Sequence, residues 1–348
     1  LWFEANMGWS GNLNSTQQVA QLLFDRLGLT STYGRSTSKE AMAELGWHPV
    51  PRRIRAWRKL DSIESEAADL LGHFTKWGVA HTSFNNTGAS TGRFSSSDPI
   101  NLQNKTALLR TAFVPEDDRH VVYRADGSQV ELRIAATFSQ DQNMLAAIKD
   151  GESLHKNLHK LILGYGVQVK YDDVKKFDFT LFYGADVPRV MEVLKCDRDK
   201  AETIIQAVEM AWPRAMAWRQ EIVQFARDNG GWNYSLMGRP FQHPWLFDED
   251  NFENQSHAER TAVNKPIQGT CADWMKKCLL PELVPSLHKK YGGKLRLTVH
   301  DEIVGTIPKE SVEPFKRELR EAMLEAEPRL PLEVEIGFGK NWKEAKPK

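Results

Sequence analysis

Apolar and polar positions alternate clearly in two places along the chain. Over 120–127, Val121, Tyr123 and Ala125 alternate with Val122 and Arg124, which predicts a strand ending at Asp126-Gly127. The following ELRIAATF (131–138) has helical spacing instead. Near the C-terminus Leu295, Leu297 and Val299 alternate, and apolar residues resume at Ile303-Val304. This predicts a hairpin bending through His300, Asp301 and Glu302. The stretch 152–229 is predicted to be mostly helical, with a capping-box start at Asp199/Glu202, a stop at Asn229-Gly230-Gly231, and a kink or division at Pro213. Ser256 with Glu259 predicts another helix start, interrupted at Pro266 and Gly269 before CADWMKKCLL resumes. Residues 1–75 are predicted helical, with starts at Asn14/Gln17 and Thr37/Glu40. The segment 81–104 is polar and without period, but Phe84, Phe94 and Leu102 predict that it is ordered and packed. There are no internal repeats or low-complexity tracts.

Composition narrows the class. At 348 residues the chain suggests two or three folding units, and 41% hydrophobic with 26% charged residues is ordinary for a globular protein. Lys+Arg and Asp+Glu are both 46, so no global basic excess exists to attract phosphates, although a local stripe can do so. One such stripe is PRRIRAWRK (51–59), with Arg52, Arg53, Arg55, Arg58 and Lys59. It reads equally as a solvated helix face or a phosphate-tracking surface. Cys196, Cys271 and Cys278 make neither a disulfide framework nor a zinc pattern, so a reducing compartment is expected. No apolar run is long enough to span a bilayer. LWFEANMGWS is not a signal peptide, and without an initiator Met it is read as a processed or trimmed end.

Two acidic residues stand out, Asp126 after one strand and Asp301 at a hairpin tip. Each would be held at a sheet rim, where paired carboxylates can bind Mg²⁺ ions that act on phosphates. Capping a turn is the plainer role for either. Lys175, Phe179 and Tyr183 recur every fourth residue on one face of a predicted helix, drifting about 40° per step. A cation, a ring and a phenol on one stripe suit a triphosphate and a base, and equally an amphipathic core helix. Arg260, Asn264 and Gln268 make a third stripe, suited to minor-groove acceptors or simply to an exposed face, with Pro266 blurring the phase of Gln268.

Together and in order, these segments resemble the polymerase region of the family A DNA polymerases, the bacterial DNA polymerase I and phage replicative group. The resemblance runs from about Asn12 to Trp342. It rests on TGRFSSSDPINLQN (91–104), DGSQVELR (126–133), KKFDFTLFYG (175–184), RTAVNKPIQGTCAD (260–273) and VHDE (299–302).

The resemblance implies that Asp126 and Asp301, with the backbone carbonyl of Gly127, bind two Mg²⁺ ions, with Mn²⁺ as the alternative. Relatives usually carry an aromatic at the position of Gly127. Glu131 matches the carboxylate that crowds the sugar 2′ position, and Gln129 lies beside the triphosphate. Lys175 matches a triphosphate contact and proton donor to pyrophosphate, and His155, in GESLH, a phosphate contact. Phe179 and Tyr183 match residues that pack on the incoming nucleotide. Arg93, Gln268 and His300 match contacts to the primer-terminal pair, Arg260 and Asn264 contacts to the template. Glu302 matches a second carboxylate near the metals. Tyr171 stands where relatives carry an Arg reaching the β- and γ-phosphates, and Lys170 beside it faces about 100° away.

The implied fold is α+β, a right hand: a partial helical thumb at 1–73, an antiparallel-sheet palm from 74–149 and 269–348, and helical fingers at 150–268. Arg52, Arg53 and Arg55 would hold duplex phosphates. The implied activity is template-directed addition of deoxynucleotides (dNTPs) to a primer 3′-hydroxyl on primer–template DNA. The enzyme would be a cytoplasmic monomer, with phage or organellar origin open. Two alternatives stand beside it. A single-subunit RNA polymerase-like enzyme is disfavoured by Glu131 and Phe179, and a catalytically impaired DNA-binding module is favoured only by Gly127 and Tyr171.

Overall fold

The computed structural model describes residues 2–74, 78–184 and 187–347, with only the backbone described at 178–180. The chain divides into two compact units, residues 1–82 with 98–109, and residues 83–97 with 110–348.

The first unit is helical: α1 (Trp2–Met7), α2 (Thr16–Ala20), α3 (Lys39–Glu44) and the long α4 (Pro49–Gly72). A π-helical turn over Gln21–Arg26 continues α2. Val19, Leu22, Leu23, Met42, Leu45, Val50 and Ile54 form its core. Two predicted caps move by one residue. Ser15 caps α2 by accepting from Gln18 N, and Ser38 caps α3 by accepting from Ala41 N. Asn14 is instead used by Asp61, to which its Nδ2 donates at 3.0 Å, and the Thr37 carbonyl accepts from Arg58 at 2.8 Å. A second Arg58 bond, from Nε to the Leu13 carbonyl at 2.8 Å, makes this cation of the basic run a structural tether. Arg52, Arg53 and Arg55 stay exposed, with Arg53 lying 4.1 Å over the Trp2 ring.

The second unit is α+β. It opens with the short pair β1 (Phe84–Asn85) and β2 (Ser95–Ser96), so the polar segment is ordered as expected, with Phe84 and Phe94 edge-to-face at 6.0 Å. Strand β3 (His120–Gly127) leads into α5 (Val130–Ser139), α6 (Gln142–Lys149), α7 (Leu154–Gly164), α8 (Tyr171–Phe182), α9 (Val187–Leu194), α10 (Arg198–Ala211) and α11 (Pro213–Asp228). Pro213 divides α10 from α11, because a proline suits a first turn but not an interior. The cap of α10 is Asp197, two residues before the predicted start, accepting from Lys200 N.

After the hairpin β4 (Trp232–Tyr234) and β5 (Pro240–Gln242) comes α12 (Phe252–Cys278). It starts at the Asn251 cap rather than at Ser256, and it runs unbroken through Pro266 and Gly269, against expectation. Pro266 has no N–H for the carbonyl of Ala262, but Asn233 Nδ2 donates to that carbonyl at 2.8 Å in its place. Gly269 is small because β5 presses against the helix there; an added Cβ would lie 2.3 Å from Phe241 Cζ.

The chain closes with α13 (Val284–Tyr291), β6 (Lys294–Val299), β7 (Glu302–Pro308), α14 (Val312–Glu325) and β8 (Val334–Gly339). The sheet order is β6-β7-β3-β8, antiparallel throughout. Its bend is shorter than predicted, since Glu302 already belongs to β7. Behind the sheet Tyr123, fully buried, packs on Phe315 and donates to His288 Nε2 at 2.7 Å. The His288 proton is placed on Nδ1 by the Val284 carbonyl at 2.9 Å, so the imidazole is neutral and accepts from the tyrosine. Among the described residues no helix is long and apolar enough to cross a membrane.

Candidate active site at the end of the central sheet

Strand register brings three carboxylates to one end of the sheet. Asp126 pairs with Glu302 on β7 and with Glu335 on β8, while the Gly127 N–H donates to the Asp301 carbonyl at 3.3 Å. Both candidate metal ligands are thereby brought together, Asp126 near the end of β3 and Asp301 in the β6–β7 bend beside it. Burial, with Asp301, Glu302 and Glu335 nearby, pushes Asp126 up to about 8, and Arg124 only partly offsets this. Asp301 is also raised, chiefly by burial.

Glu302 is held differently. Its Oε2 accepts from Arg124 Nε at 2.7 Å and its Oε1 from Trp342 Nε1 at 3.2 Å. Both oxygens are engaged, so Glu302 is an anchored charge. Arg124 lies two residues before Asp126 and so on the same face of β3, a period-2 signal that could have marked it in the sequence. Trp342, 40 residues from Glu302, carried no such signal.

The turn after β3 is locked. Arg133, nearly fully buried, donates to the Ser128 carbonyl at 3.0 Å and the Pro331 carbonyl at 2.8 Å, and pairs with Glu333. Gln129 sits in the left-handed region at φ 52°, and its Oε1 accepts from Leu154 N at 2.8 Å. Gln129 thus caps α7, the helix that carries His155, and ties it to the end of β3. At Gly127 the space of a side chain is taken by Trp274, whose Cη2 would lie 2.9 Å from an added Cβ. That indole is fully buried and donates from Nε1 to the Met323 carbonyl at 2.8 Å.

A second cluster gathers around Glu131 at the start of α5. One oxygen accepts from Arg93, on the loop before β2, and the other from the Tyr183 hydroxyl, just beyond α8. Burial raises the Tyr183 phenol well above its usual range, and the adjacent Glu131 carboxylate adds to that. Sequence spacing placed Tyr183 with Lys175; the structure joins it to Glu131 and Arg93 as well.

Other expected residues lie apart. Lys175 is exposed, its ammonium 4.7 Å over the ring of Tyr171. The Phe179 side chain falls outside the described residues. Because α12 is continuous, Arg260, Asn264 and Gln268 lie four residues apart along one helix, so the phase of Gln268 is set. Arg260 is exposed and donates to Ser256 Oγ at 2.6 Å, and Asn264 and Gln268 are half-buried. His300 is exposed at φ 56° in the β6–β7 bend. The described residues contain no group of three or more His, Cys, Asp or Glu side chains placed to hold a metal. The donor set at the sheet end is instead two carboxylates with backbone oxygens. It fits a hard dication, whose charge would offset the burial and mutual repulsion that raise both carboxyls.

An antiparallel sheet presenting two carboxylates, flanked by helices that carry cations and aromatics, is an arrangement able to hold dications and phosphate groups. The chain belongs to DNA polymerase family A, whose sequence model matches residues 3–344. It is 36% identical over 355 residues to DNA polymerase I, thermostable, of Thermus filiformis, covering 96% of this chain and 42% of that protein. It is 32% identical over 362 residues to DNA polymerase I of Geobacillus stearothermophilus, covering 97% of this chain and 40% of that protein. The chain therefore spans about two fifths of the length of these curated relatives. The POL domain of Pol1 from M. smegmatis, solved in complex with DNA primer-template and dNTP, matches with a TM-score of 0.89 at 30% identity, covering 98% of this chain and 63% of that one.

Proposed function

We propose that this chain catalyses template-directed DNA synthesis, adding deoxynucleotides from dNTPs to a primer 3′-hydroxyl on primer–template DNA and releasing pyrophosphate. The observation that carries the reading is the crowding of two carboxyls at the sheet end, Asp126 on β3 and Asp301 in the adjoining β6–β7 bend, where burial and the neighbouring acids raise Asp126 to about 8. Family membership and the complex formed by the M. smegmatis domain support it.

Asp126, Asp301 and the Gly127 carbonyl would hold two Mg²⁺ ions, or Mn²⁺, which when bound activate the attacking hydroxyl and stabilise the leaving oxygen. The protein's own part is positioning. Arg124 holds Glu302 beside Asp126, and Arg133 and Gln129 fix the turn that orients both Asp126 and α7. His155 and Lys175 contact the triphosphate, with Lys175 donating a proton to the departing pyrophosphate. Tyr171 adds no charge of its own; its ring steadies the Lys175 ammonium. Phe179 and Tyr183 pack on the incoming nucleotide, and Glu131 excludes the ribose 2′-hydroxyl. Arg93 exchanges Glu131 for the primer-terminal minor groove, which Gln268 and His300 also contact, while Arg260 and Asn264 face the template. Exposed Arg52, Arg53 and Arg55 track duplex phosphates. The assignment of thumb to 1–73, palm to 74–149 and 269–348, and fingers to 150–268 belongs to the same reading.

The test is primer extension in Mg²⁺ with dNTPs or NTPs, for the wild type and for Asp126→Ala and Asp301→Ala. Extension with dNTPs that is lost in both variants is expected. A wild type that binds primer–template yet extends nothing, or that prefers NTPs, sinks the proposal.

A further inference from the structure

Helices α9, α10, α11 and α12, with Tyr183 and Gly184 just beyond α8, line an open cavity of about 970 Å³ that also presents Glu209, Arg219, Arg227 and Arg260. Its arginines differ in their pairing. Arg227 is satisfied by Glu259 at 2.7 Å and the Leu246 carbonyl at 2.6 Å, and Arg260 by Ser256. Arg219 has no carboxylate within ion-pair distance among the described residues. Among the described residues its one polar contact is Nη1 to the Met216 sulfur at 3.9 Å, and its Nε is buried without a partner.

Such a cation is costly to keep. Its backbone is fixed, because the neighbouring Trp218 is stacked between Phe138 at 5.3 Å and Phe182 at 6.1 Å. Space at its head group is also reserved: Gly184, at φ 91°, leaves Arg219 Nη2 only 3.1 Å from where a Cβ would stand. Burial weakens its hold on the proton, and Glu209, the unpaired carboxylate of the lining, is exposed and beyond bonding distance. A half-buried guanidinium whose buried Nε finds no partner, facing an open cavity, is placed to take an anion.

We propose that Arg219 binds a backbone phosphate of the unpaired template strand as that strand passes through this cavity. This rests on the function proposed above and extends it to the single-stranded part of the substrate. The chemistry is bidentate guanidinium–phosphate bonding. Tyr183 and Arg260 lie on the same cavity wall, so a strand seated on Arg219 is continuous with the nucleotide and template contacts assigned to them. The volume admits a nucleotide rather than a lone ion.

The experiment compares wild type, Arg219→Met and Arg219→Lys by fluorescence anisotropy. The probes are a blunt duplex and the same duplex with a short 5′ template overhang, at several salt concentrations. Arg219→Met is expected to weaken overhang binding about tenfold, to leave the blunt duplex unchanged, and to lower the salt slope by about one. Arg219→Lys recovers part of the loss. The melting temperature of Arg219→Met is expected to hold or rise, since a half-buried cation whose Nε finds no partner is removed. Equal loss on both duplexes, loss confined to dNTP or inorganic phosphate binding, or no change on the overhang would each overturn the proposal. If the wild type binds overhangs through Arg219 but does not extend primers, the catalytic reading fails and this one stands.

Discussion

Asn233→Ala is the perturbation that most directly tests how α12 survives Pro266. Asn233 is fully buried, and its amide serves two partners. Its Nδ2 donates to the Ala262 carbonyl, the acceptor that Pro266 cannot satisfy, and its Oδ1 accepts from His243 Nε2 at 3.0 Å. Alanine strands one buried acceptor and one buried donor, each worth about 1–3 kcal/mol, so a loss of roughly 2–6 kcal/mol is expected. The diagnostic step is Pro266→Ala in that background. The new N–H closes the bond to Ala262 from within the helix and returns on the order of 1–3 kcal/mol. In the Asn233 background the same change finds the carbonyl already served and gives less, so the two substitutions couple. Equilibrium urea unfolding of the four proteins, followed by circular dichroism, measures this. A variant Asn233→Ala within about 0.5 kcal/mol of wild type, or a Pro266→Ala effect equal in both backgrounds, would refute the argument.

Two further outcomes follow from buried neighbours. Gly127→Ala places a Cβ 2.9 Å from Trp274 Cη2 and 3.0 Å from Cζ3, so it should lower kcat more than it raises KM for dNTP. Trp274→Leu should restore kcat in steady-state primer extension, and no rescue would disprove the steric account. His243, 2% exposed, is pulled down from 6.5 to about 4, chiefly by burial. Between those values the unfolded chain binds a proton that the folded one does not, so stability is full above about 6.5 and falls as pH drops toward 4. The expected loss is at most about 3 kcal/mol. Urea midpoints at pH 7 and pH 4 should differ less in His243→Gln than in wild type, and an equal difference contradicts the assignment.

Much of this architecture was legible because it is written locally. Alternation in 120–127 and 294–308 marked the strands, and their ends marked Asp126 and Asp301, since a period of two needs only neighbouring residues to be seen. Pro213 ended a helix as prolines do. The failures share the opposite property. Pro266 looked like a break because its remedy, Asn233, lies on a different hairpin. The α2 cap slipped by a residue, and the Asn14 amide serves Asp61, 47 residues along the chain, instead. Glu302 was placed in the bend, yet it belongs to β7, where its register with β3 brings Arg124 to it and the C-terminal segment brings Trp342. The Arg93–Glu131–Tyr183 cluster joins three separate motifs, and no one of them announces the other two.

The fit of Trp274 against Gly127 also has a historical consequence. Each residue removes the other's freedom to vary: a side chain at 127 is inadmissible while the indole is present, and a smaller residue at 274 leaves a void beneath the backbone that supports Asp126. A lineage that has fixed this pair cannot place a large residue at 127 by one substitution without a clash at the turn that carries Asp126. The pair acts as a ratchet, and descendants should carry glycine and tryptophan together or lose them together.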